Sequence, residues 1–343
     1  MTKEQFISDF GLSVLLFLVA LVFATLITPL YTYFAYKYKF WKKQRSVSAT
    51  GEKLKVFTKL HADKFKRRIP TMAGIIFVIA VTVVTLAFNL DRGQTYLPLA
   101  GLVMGGFVGL IDDIINVFGD GKGVAGLRSS IKFFMILAVG LVLGLFFYFK
   151  LGYTSIFVPF LGSVDLGWII IPLFAFAVLA TGNAVNISDG LDGLAGGLSI
   201  VAFLSYGIIA ILQGHGILSA FCFSVVGALV SYLWFNVYPA RFMMGDVGSF
   251  ALGTSLGVVA MMTDSFLLLP IFGLLFVVEA GSSLLQILSK KFFHRRIFIS
   301  APLHQHIQAK GWPETKITAR FWIISIVMAV IGLVIVVEGG YIK

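Results

Sequence analysis

Residues 96–118 read YLPLAGLVMGGFVGLIDDIINVF, a long apolar run that carries two adjacent carboxylates, Asp112 and Asp113, near its end. A run of this length crosses the hydrocarbon core of a bilayer as an α-helix. Because charge beside hydrocarbon is costly, ionisable residues in such a segment are rare and by default indicate a functional site. The stretch therefore predicts both a membrane-spanning helix and a site at its end.

The same run contains a row of glycines at every fourth position, Gly101, Gly105 and Gly109. Small residues at this spacing let a second membrane helix approach closely. Packing alone is sufficient to explain them, and close packing would also hold the two aspartates rigidly.

The whole chain has the composition of an integral membrane protein. Of its 343 residues, 58% are hydrophobic and 13% are charged. A soluble domain of this size cannot bury that much apolar surface. The single cysteine, Cys222, excludes an internal disulfide framework and a metal site built from several cysteines.

Apolar runs of sufficient length predict an all-α polytopic membrane protein with about ten transmembrane helices. The runs are continuous rather than alternating, which argues against membrane strands. They lie near residues 11–36, 71–90, 96–118, 131–150, 167–187, 193–212, 216–236, 247–263, 266–289 and 320–340. Between the fourth and fifth runs, residues 150–166 contain β-branched and aromatic residues around Pro159 and Gly162, which predicts a small hairpin.

The distribution of Lys and Arg predicts the orientation in the membrane. With the N-terminus outside, the inside loops are 37–70, 116–132, 183–192, 237–246 and 290–320, and they hold 23 of the 27 Lys and Arg residues. Positive charge concentrates on the cytoplasmic side. We therefore expect both termini and the hairpin on the outside, and one transmembrane domain, residues 1–343, whose inside loops form the active-site face. The net charge of +11 follows from this rule and favours membrane lipids and anionic substrates, with no nucleic-acid partner.

The most specific motif is NAVNISDGLDGLAGG, residues 183–197, on that inside face. Its polar residues recur at every third position and are Asn183, Asn186, Asp189 and Asp192. Glycines let the backbone approach a ligand, and free N–H groups at a helix start favour phosphate. The alternative is a polar turn with a capping aspartate.

A second motif is WFNVYPARFMMGDVGSFALG, residues 234–253. Asn236 ends one apolar run, and Asp246 lies between two glycines before the next. A lone carboxylate in such a turn suits Mg²⁺, which takes one or two carboxylates together with waters and substrate phosphates. A capping aspartate is again the alternative.

Histidines and bases complete the inside face. SAPLHQHIQAKGWPE, residues 300–314, carries His304 and His306, which suit hydrogen bonding or proton transfer near phosphates. With neither a cysteine nor a third ligand close by, zinc is disfavoured. A solvated basic loop is the alternative for the histidine segment. Lys66 before the second run and Lys132 at the fourth could contact phosphate, although inside-positive anchoring explains the charges around Lys66 fully.

Together these residues predict Mg²⁺-dependent phosphoryl transfer to a lipid at the membrane surface. Such chemistry requires positioning and charge neutralisation more than a strong nucleophile. A soluble acceptor would not require ten spans. The alternative from another class is an ion or proton transporter with a carboxylate relay, against which the position of the carboxylates at span ends argues.

These motifs resemble the polyprenyl-phosphate N-acetylhexosamine-1-phosphate transferase superfamily. The resemblance covers nearly the whole chain, from IPTMAGI (69–75) and GLIDD (109–113) through both motifs to APLHQHIQAKGWPETKITARFW (301–322). The last segment is similar to the members that transfer phospho-MurNAc-pentapeptide rather than to the GlcNAc-1-phosphate transferases.

The resemblance implies transfer of phospho-MurNAc-pentapeptide from UDP-MurNAc-pentapeptide to undecaprenyl phosphate, giving lipid I and UMP in the first membrane step of peptidoglycan synthesis. It implies the bacterial inner membrane, an active site on the cytoplasmic face and a homodimer. UDP-GlcNAc is the alternative donor, for transfer to a polyprenyl phosphate. Direct attack by the lipid phosphate is the leading mechanism, and a phospho-aspartate intermediate is its rival.

The resemblance also implies residue roles. Asp246 would bind Mg²⁺, with Asp189 as the alternative ligand. The catalytic side chains would be Asp112, Asp113, Asp246 and His304. The substrate-binding side chains would be Lys66, Thr71, Lys132, Asn183, Asn186, Asp189, Asp192, Asn236, Phe242, Met243 and His306.

This sequence departs from the family pattern at three places. An aromatic residue usually lies three positions before the metal-binding aspartate, where it can stack on uracil; here that position is Met243, with Phe242 one earlier. The usual triple-histidine run has Gln305 at its centre. The segment after Asp113 is longer and rich in glycine, which leaves Lys122 as the alternative to Lys132.

Overall fold

The structure is a computed structural model that describes residues 2–41, 68–119 and 126–342. Lys66 and Lys122 lie outside these residues, so their predicted roles stay predictions. The described residues are mostly helical, with one small hairpin. The predicted all-α class is thereby confirmed.

The described helices are numbered here in chain order. They are α1 (Lys3–Lys37), α2 (Gly74–Phe88), α3 (Tyr96–Phe118), α4 (Ser129–Phe149), α5 (Ile170–Ser188), α6 (Leu194–Leu212), α7 (Gly216–Asn236), α8 (Gly245–Met262), α9 (Leu269–Phe272), α10 (Leu274–Phe293), α11 (Leu303–Ala309) and α12 (Glu314–Glu338). Short 3₁₀ turns, Gly167–Ile169 and Phe266–Leu268, precede α5 and α9.

Eight of the described helices are long and apolar enough to cross a membrane, or nine if a bent pair counts as one span. The bent pair covers Phe266–Phe272 and Leu274–Phe293 and turns by 83°, where the sequence predicted one run. α2 is apolar but has only 15 residues. With α2 included, a described helix or helix pair covers most of each predicted run, as expected for a multi-pass membrane protein. The orientation of the termini stays a prediction.

The central helix is α8, in which every residue is buried. It packs against α3 along the predicted glycine row. A Cβ at Gly105 would overlap Thr254 Oγ1, and one at Gly109 would overlap the carbonyl oxygen of Asp246. The absence of side chains at these positions lets the end of α3 that carries the two aspartates lie beside the start of α8.

The predicted hairpin is confirmed. β1 (Ser155–Val158) pairs antiparallel with β2 (Gly162–Asp165). The backbone N–H of Phe157 in β1 donates to Asp264 Oδ1 at 2.8 Å, just beyond the C-terminal end of α8. α8 has 18 residues, so the hairpin lies about 27 Å from the end that carries Asp246.

Candidate functional site

Two carboxylates and one ammonium meet at the centre of the site. Lys132 Nζ on α4 lies 3.3 Å from Asp112 Oδ2 on α3 and 3.0 Å from Asp246 Oδ2 on α8. The Lys132 side chain is 14% exposed, and both aspartates are buried. A buried charge that loses its partner is strongly destabilising, so this three-way contact holds the ends of three helices together.

Backbone donors fix the paired aspartates of α3. The backbone N–H of Leu127 donates to Asp112 Oδ1, and that of Val247 donates to Asp113 Oδ2 at 3.0 Å. Val247 lies in the first turn of α8, where backbone N–H groups lack intrahelical acceptors. Asp113 therefore stabilises the start of the helix that carries Asp246, and the positive end of that helix favours its negative charge.

Asp246 is not the capping residue of α8, which was the alternative interpretation of this motif. The N-cap of α8 is Met244, which makes no side-chain cap hydrogen bond within the described residues. The Asp246 side chain is instead directed to Lys132. Gly245 has a φ of +77°, and a Cβ there would contact Asp113 Oδ2, so only glycine suits this turn.

The segment before α2 is joined to the turn before α8. The N–H of Met243 donates to the carbonyl of Pro70 at 2.8 Å, and that of Ala73 donates to the carbonyl of Met243 at 3.0 Å. Thr71, which lies between them, is buried, and its hydroxyl oxygen has no hydrogen-bond partner among the described residues. The same hydroxyl would lie 3.0 Å from a Cβ at Gly245, so it faces the start of α8.

The four polar positions of the 183–197 motif have different environments. Asn186 Nδ2 donates to Ser249 Oγ at 2.9 Å, one turn along α8 from Asp246. Asn183 Nδ2 donates to the carbonyl of Leu179 in its own helix at 2.8 Å. Asp189 caps the C-terminus of α5 and is partly exposed. Of these, Asn186 is joined most directly to the α8 end of the site.

Asp192 and Asn236 tie two connections together. Asp192 Oδ2 accepts the N–H of Ala240 at 3.0 Å. Asn236 Oδ1 accepts the N–H of Gly193 at 3.0 Å, and its Nδ2 donates to the carbonyl of Phe242 at 2.9 Å. Both side chains are buried. In this conformation they set the position of the glycine-rich turn relative to the turn before α8.

Phe242 lies in the core rather than on a ligand-facing surface. Its ring is 2% exposed and packs against Tyr31 at 5.5 Å, Phe235 at 5.7 Å and Tyr232 at 5.8 Å between centroids. A ring enclosed by three aromatic neighbours offers no face to uracil in this conformation. Met243, which is half-buried, is the more accessible of the two side chains.

Sequence reasoning missed Glu279 on α10. The backbone N–H of His304 donates to Glu279 Oε1 at 3.1 Å, and His304 Nδ1 lies 2.7 Å from Glu279 Oε2. The signal was available, because a carboxylate in an apolar run indicates a functional site. His306 differs: its Nδ1 accepts the N–H of Ile299 at 3.1 Å, and desolvation together with nearby Lys310 lowers its pKa.

The donor set can be compared with the needs of Mg²⁺. No three His, Cys, Asp or Glu side chains form a metal-binding group within the described ranges. Mg²⁺ needs only one or two protein carboxylates when waters and substrate phosphates complete its octahedron. Asp112 and Asp246 direct two carboxylates to one point, where the Lys132 ammonium already serves as a shared cation. This pair fits Mg²⁺ bound together with a phosphate.

Comparisons with known proteins indicate a phospho-sugar transferase. The model of the family described as glycosyl transferase family 4 matches residues 95–264. Several similar proteins carry the name phospho-N-acetylmuramoyl-pentapeptide-transferase, among them the following two. The one from Chloroflexus aurantiacus is 37% identical over 96% of this chain and 91% of its own length. The one from Listeria welshimeri is 35% identical over 94% of this chain and 97% of its own length.

Proposed function

Because the chain belongs to the phospho-N-acetylmuramoyl-pentapeptide-transferase family, we propose that it transfers phospho-MurNAc-pentapeptide from UDP-MurNAc-pentapeptide to undecaprenyl phosphate. The products would be lipid I and UMP. The observation that carries the proposal is the contact of Lys132 with both Asp112 and Asp246 where three apolar helices end. Such a site suits a pyrophosphate, and apolar surroundings suit a lipid acceptor.

The reaction we propose is a direct displacement. An oxygen of the lipid phosphate forms a bond to the β-phosphorus of the donor, and the bond from that phosphorus to the bridging oxygen breaks. The bridging oxygen leaves with its electron pair on UMP. A phosphate monoester has a second pKa of about 6, so the lipid phosphate is largely ionised near pH 7 and needs little base. Positioning and charge neutralisation are then the main tasks of the protein.

The residues of the central cluster suit those tasks. Lys132 would neutralise charge on the phosphates, and Asp113, whose Oδ2 already accepts the N–H of Val247, would help orient the lipid phosphate or take its remaining proton. Asp246 and Asp112 would hold Mg²⁺. That ion would supply Lewis-acid stabilisation of the pyrophosphate oxygens.

The donor would lie against the glycine-rich turn after α5. Asn186 donates to Ser249 Oγ and the Thr71 hydroxyl faces Gly245, so both lie at the start of α8, where they would contact the donor. The Nε2 atom of His304 lies beside Gly190 of this turn. We propose that Asp189 and Met243 contact the nucleoside or sugar and that Lys66 contacts phosphate or sugar. Asp192, Asn236 and Phe242 would then act by positioning these segments.

The cellular setting follows from the same proposal. We propose the inner membrane of a bacterium, with the site on the cytoplasmic face, both termini in the periplasm and a homodimer as the working unit. The excess of Lys and Arg in the inside loops supports that orientation.

The decisive assay is UMP release by the full chain in lipid nanodiscs with UDP-MurNAc-pentapeptide and undecaprenyl phosphate, with and without Mg²⁺. We expect release only when the donor, the lipid and Mg²⁺ are all present. Turnover of UDP-GlcNAc alone would point to the alternative donor. Charge movement across sealed vesicles without UMP release would point to a transporter.

A second assay tests the mechanism. Donor labelled at the β-phosphate is mixed with the protein in the absence of lipid. Direct displacement leaves the protein unlabelled, whereas a trapped phospho-aspartate would require the two-step mechanism.

A further inference from the structure

His304 is held by a single carboxylate through both its backbone and its ring. Its backbone N–H donates to Glu279 Oε1 at 3.1 Å, and its Nδ1 lies 2.7 Å from Glu279 Oε2. Both side chains are 0% exposed. Glu279 lies in the apolar helix α10, where a carboxylate is costly to bury. A buried pair of this kind often adds little net stability, because removing its charges from water is costly. Its presence therefore indicates a functional role.

The other ring nitrogen of His304 is left available. Nε2 is buried and has no hydrogen-bond partner among the described residues. It points at Gly190, where an added Cβ would overlap it. Gly190 follows Asp189 in the glycine-rich turn, so the ring presents one particular atom to the motif that the proposed donor would occupy. A buried nitrogen without a partner is destabilising, and so its position needs another reason.

An ionised carboxylate can only accept hydrogen bonds. When Glu279 is ionised, one of its oxygens accepts the backbone N–H of His304 and the other faces Nδ1, so a hydrogen bond at Nδ1 requires a proton on that nitrogen. The hydrogen bond at one ring nitrogen therefore determines the state of the other. Only Nε2 is left to accept or donate a hydrogen bond, or to exchange a proton, on the side of the turn.

We propose that Glu279 is a positioning residue that keeps a proton on Nδ1 of His304 and directs Nε2 to the phosphate or sugar oxygens of the donor at the Asp189–Gly190 turn. This inference rests on the proposed function for its substrate. The tautomer that it assigns to His304 can be measured without any substrate.

Glu279→Gln is the sharpest test, because it keeps the size of the side chain and reverses one hydrogen bond. The amide oxygen of Gln can still accept the backbone N–H of His304. Its NH₂ group then faces Nδ1 and can only donate to it. The ring proton must move to Nε2, so the nitrogen that faces Gly190 becomes a donor only.

We expect kcat for UMP release to fall by about 10²- to 10⁴-fold in Glu279→Gln, the range that proton transfer and a wrong histidine tautomer cover. KM for the UDP-sugar should change little, because the turn itself is intact. Glu279→Asp retains two acceptor oxygens and should recover part of kcat.

The tautomer is read by ¹⁵N NMR of the full chain in nanodiscs with labelled histidine. The chain has five histidines, and the His304 signal is assigned by its loss in His304→Gln. The wild-type protein should show a protonated Nδ1, and Glu279→Gln should show an unprotonated Nδ1 with a protonated Nε2.

Ser282→Ala is the matched control. Ser282 Oγ accepts the N–H of Leu303 at 2.9 Å, so the variant weakens the same loop one turn along α10 without touching the ring. Its kcat and its His304 signals should be unchanged. Equal losses of kcat in Ser282→Ala and Glu279→Gln would reduce Glu279 to a structural clamp and overturn the proposal.

An unprotonated Nδ1 in the wild-type protein would overturn the assignment even if Glu279→Gln does not fold. Wild-type kcat in a folded Glu279→Gln variant would overturn it as well. A wild-type protein that releases no UMP from UDP-MurNAc-pentapeptide would instead remove the proposed function, while the NMR result would still decide the state of His304.

Discussion

Lys132→Met is expected to destabilise the protein and to abolish UMP release. The substitution keeps most of the apolar stem and removes the ammonium that lies 3.3 Å from Asp112 and 3.0 Å from Asp246. Two buried carboxylates then face one another without their shared cation. The free energy of unfolding should fall for this electrostatic reason rather than through loss of packing.

The size of the loss follows from burial. Breaking a buried ion pair by removing one partner costs about 3–5 kcal/mol. The side chains of Lys132 and Asp246 are 14% and 9% exposed, so water reaches the cluster at one edge and we expect about 3 kcal/mol. Asp112→Asn in the Lys132→Met background should recover part of this loss, because it removes one of the two facing charges.

The free energy of unfolding is measured by denaturant titration in mixed micelles, followed by tryptophan fluorescence. Lys150→Met is the matched control, since Lys150 lies exposed at the other end of α4 and should change stability by less than about 0.5 kcal/mol. Added Mg²⁺ should stabilise Lys132→Met more than the wild type, because the ion would replace the missing positive charge.

A stabilising role of Lys132 would be refuted if Lys132→Met is as stable as Lys150→Met. It would also be refuted if Asp112→Asn destabilises Lys132→Met as much as it destabilises the wild type. In either case the contacts of Lys132 would carry no net free energy, and its role would be confined to the substrate.

Three further substitutions test other parts of the site. Asp246→Ala should abolish UMP release, and higher Mg²⁺ should not restore it; near-normal activity would refute the metal assignment. Gly109→Ala should destabilise the protein by about 1–3 kcal/mol and lower activity, because the added Cβ would overlap the Asp246 carbonyl. Gly11→Ala in α1 is the control. Its added Cβ meets no atom within 4 Å, so it should stabilise the protein by about 0.5–1 kcal/mol. Equal unfolding free energies for these two variants would contradict the close α3–α8 packing. Gln305 Oε1 accepts a hydrogen bond from the Ser300 hydroxyl at 2.8 Å. A histidine ring nitrogen can accept the same bond, so Gln305→His should retain UMP release. A strong loss of kcat would show that this loop depends on the amide.

The spans of this protein were predictable from sequence because length and apolarity are local properties. A described helix or helix pair covers most of each apolar run, and the stretch around Pro159 and Gly162 forms the expected hairpin. The bend between α9 and α10 was not predicted. It falls at Gly273, inside a run whose hydropathy is continuous and therefore carries no information on direction.

The members of the site were predictable in part. Polar residues among glycines at span ends pointed to Asp112, Asp246 and Asn186, whose contacts converge at the start of α8. The family resemblance, rather than this pattern, suggested Phe242 as a residue beside the nucleoside, but three aromatic rings enclose it. Burial depends on neighbours that arrive from distant parts of the chain, and the residue types around Phe242 do not reveal it.

The sequence alone predicts that this chain crosses a membrane many times and that it carries carboxylates, asparagines and bases where its apolar runs end. The pairing of these groups is visible only in the folded bundle. Lys132 is shared by aspartates that lie 20 and 114 residues away, and Glu279 holds His304 across 25 residues. The physical reason is that a charge in an apolar interior is stabilised by whichever partner helix packing brings to it, and that packing is a property of the whole bundle.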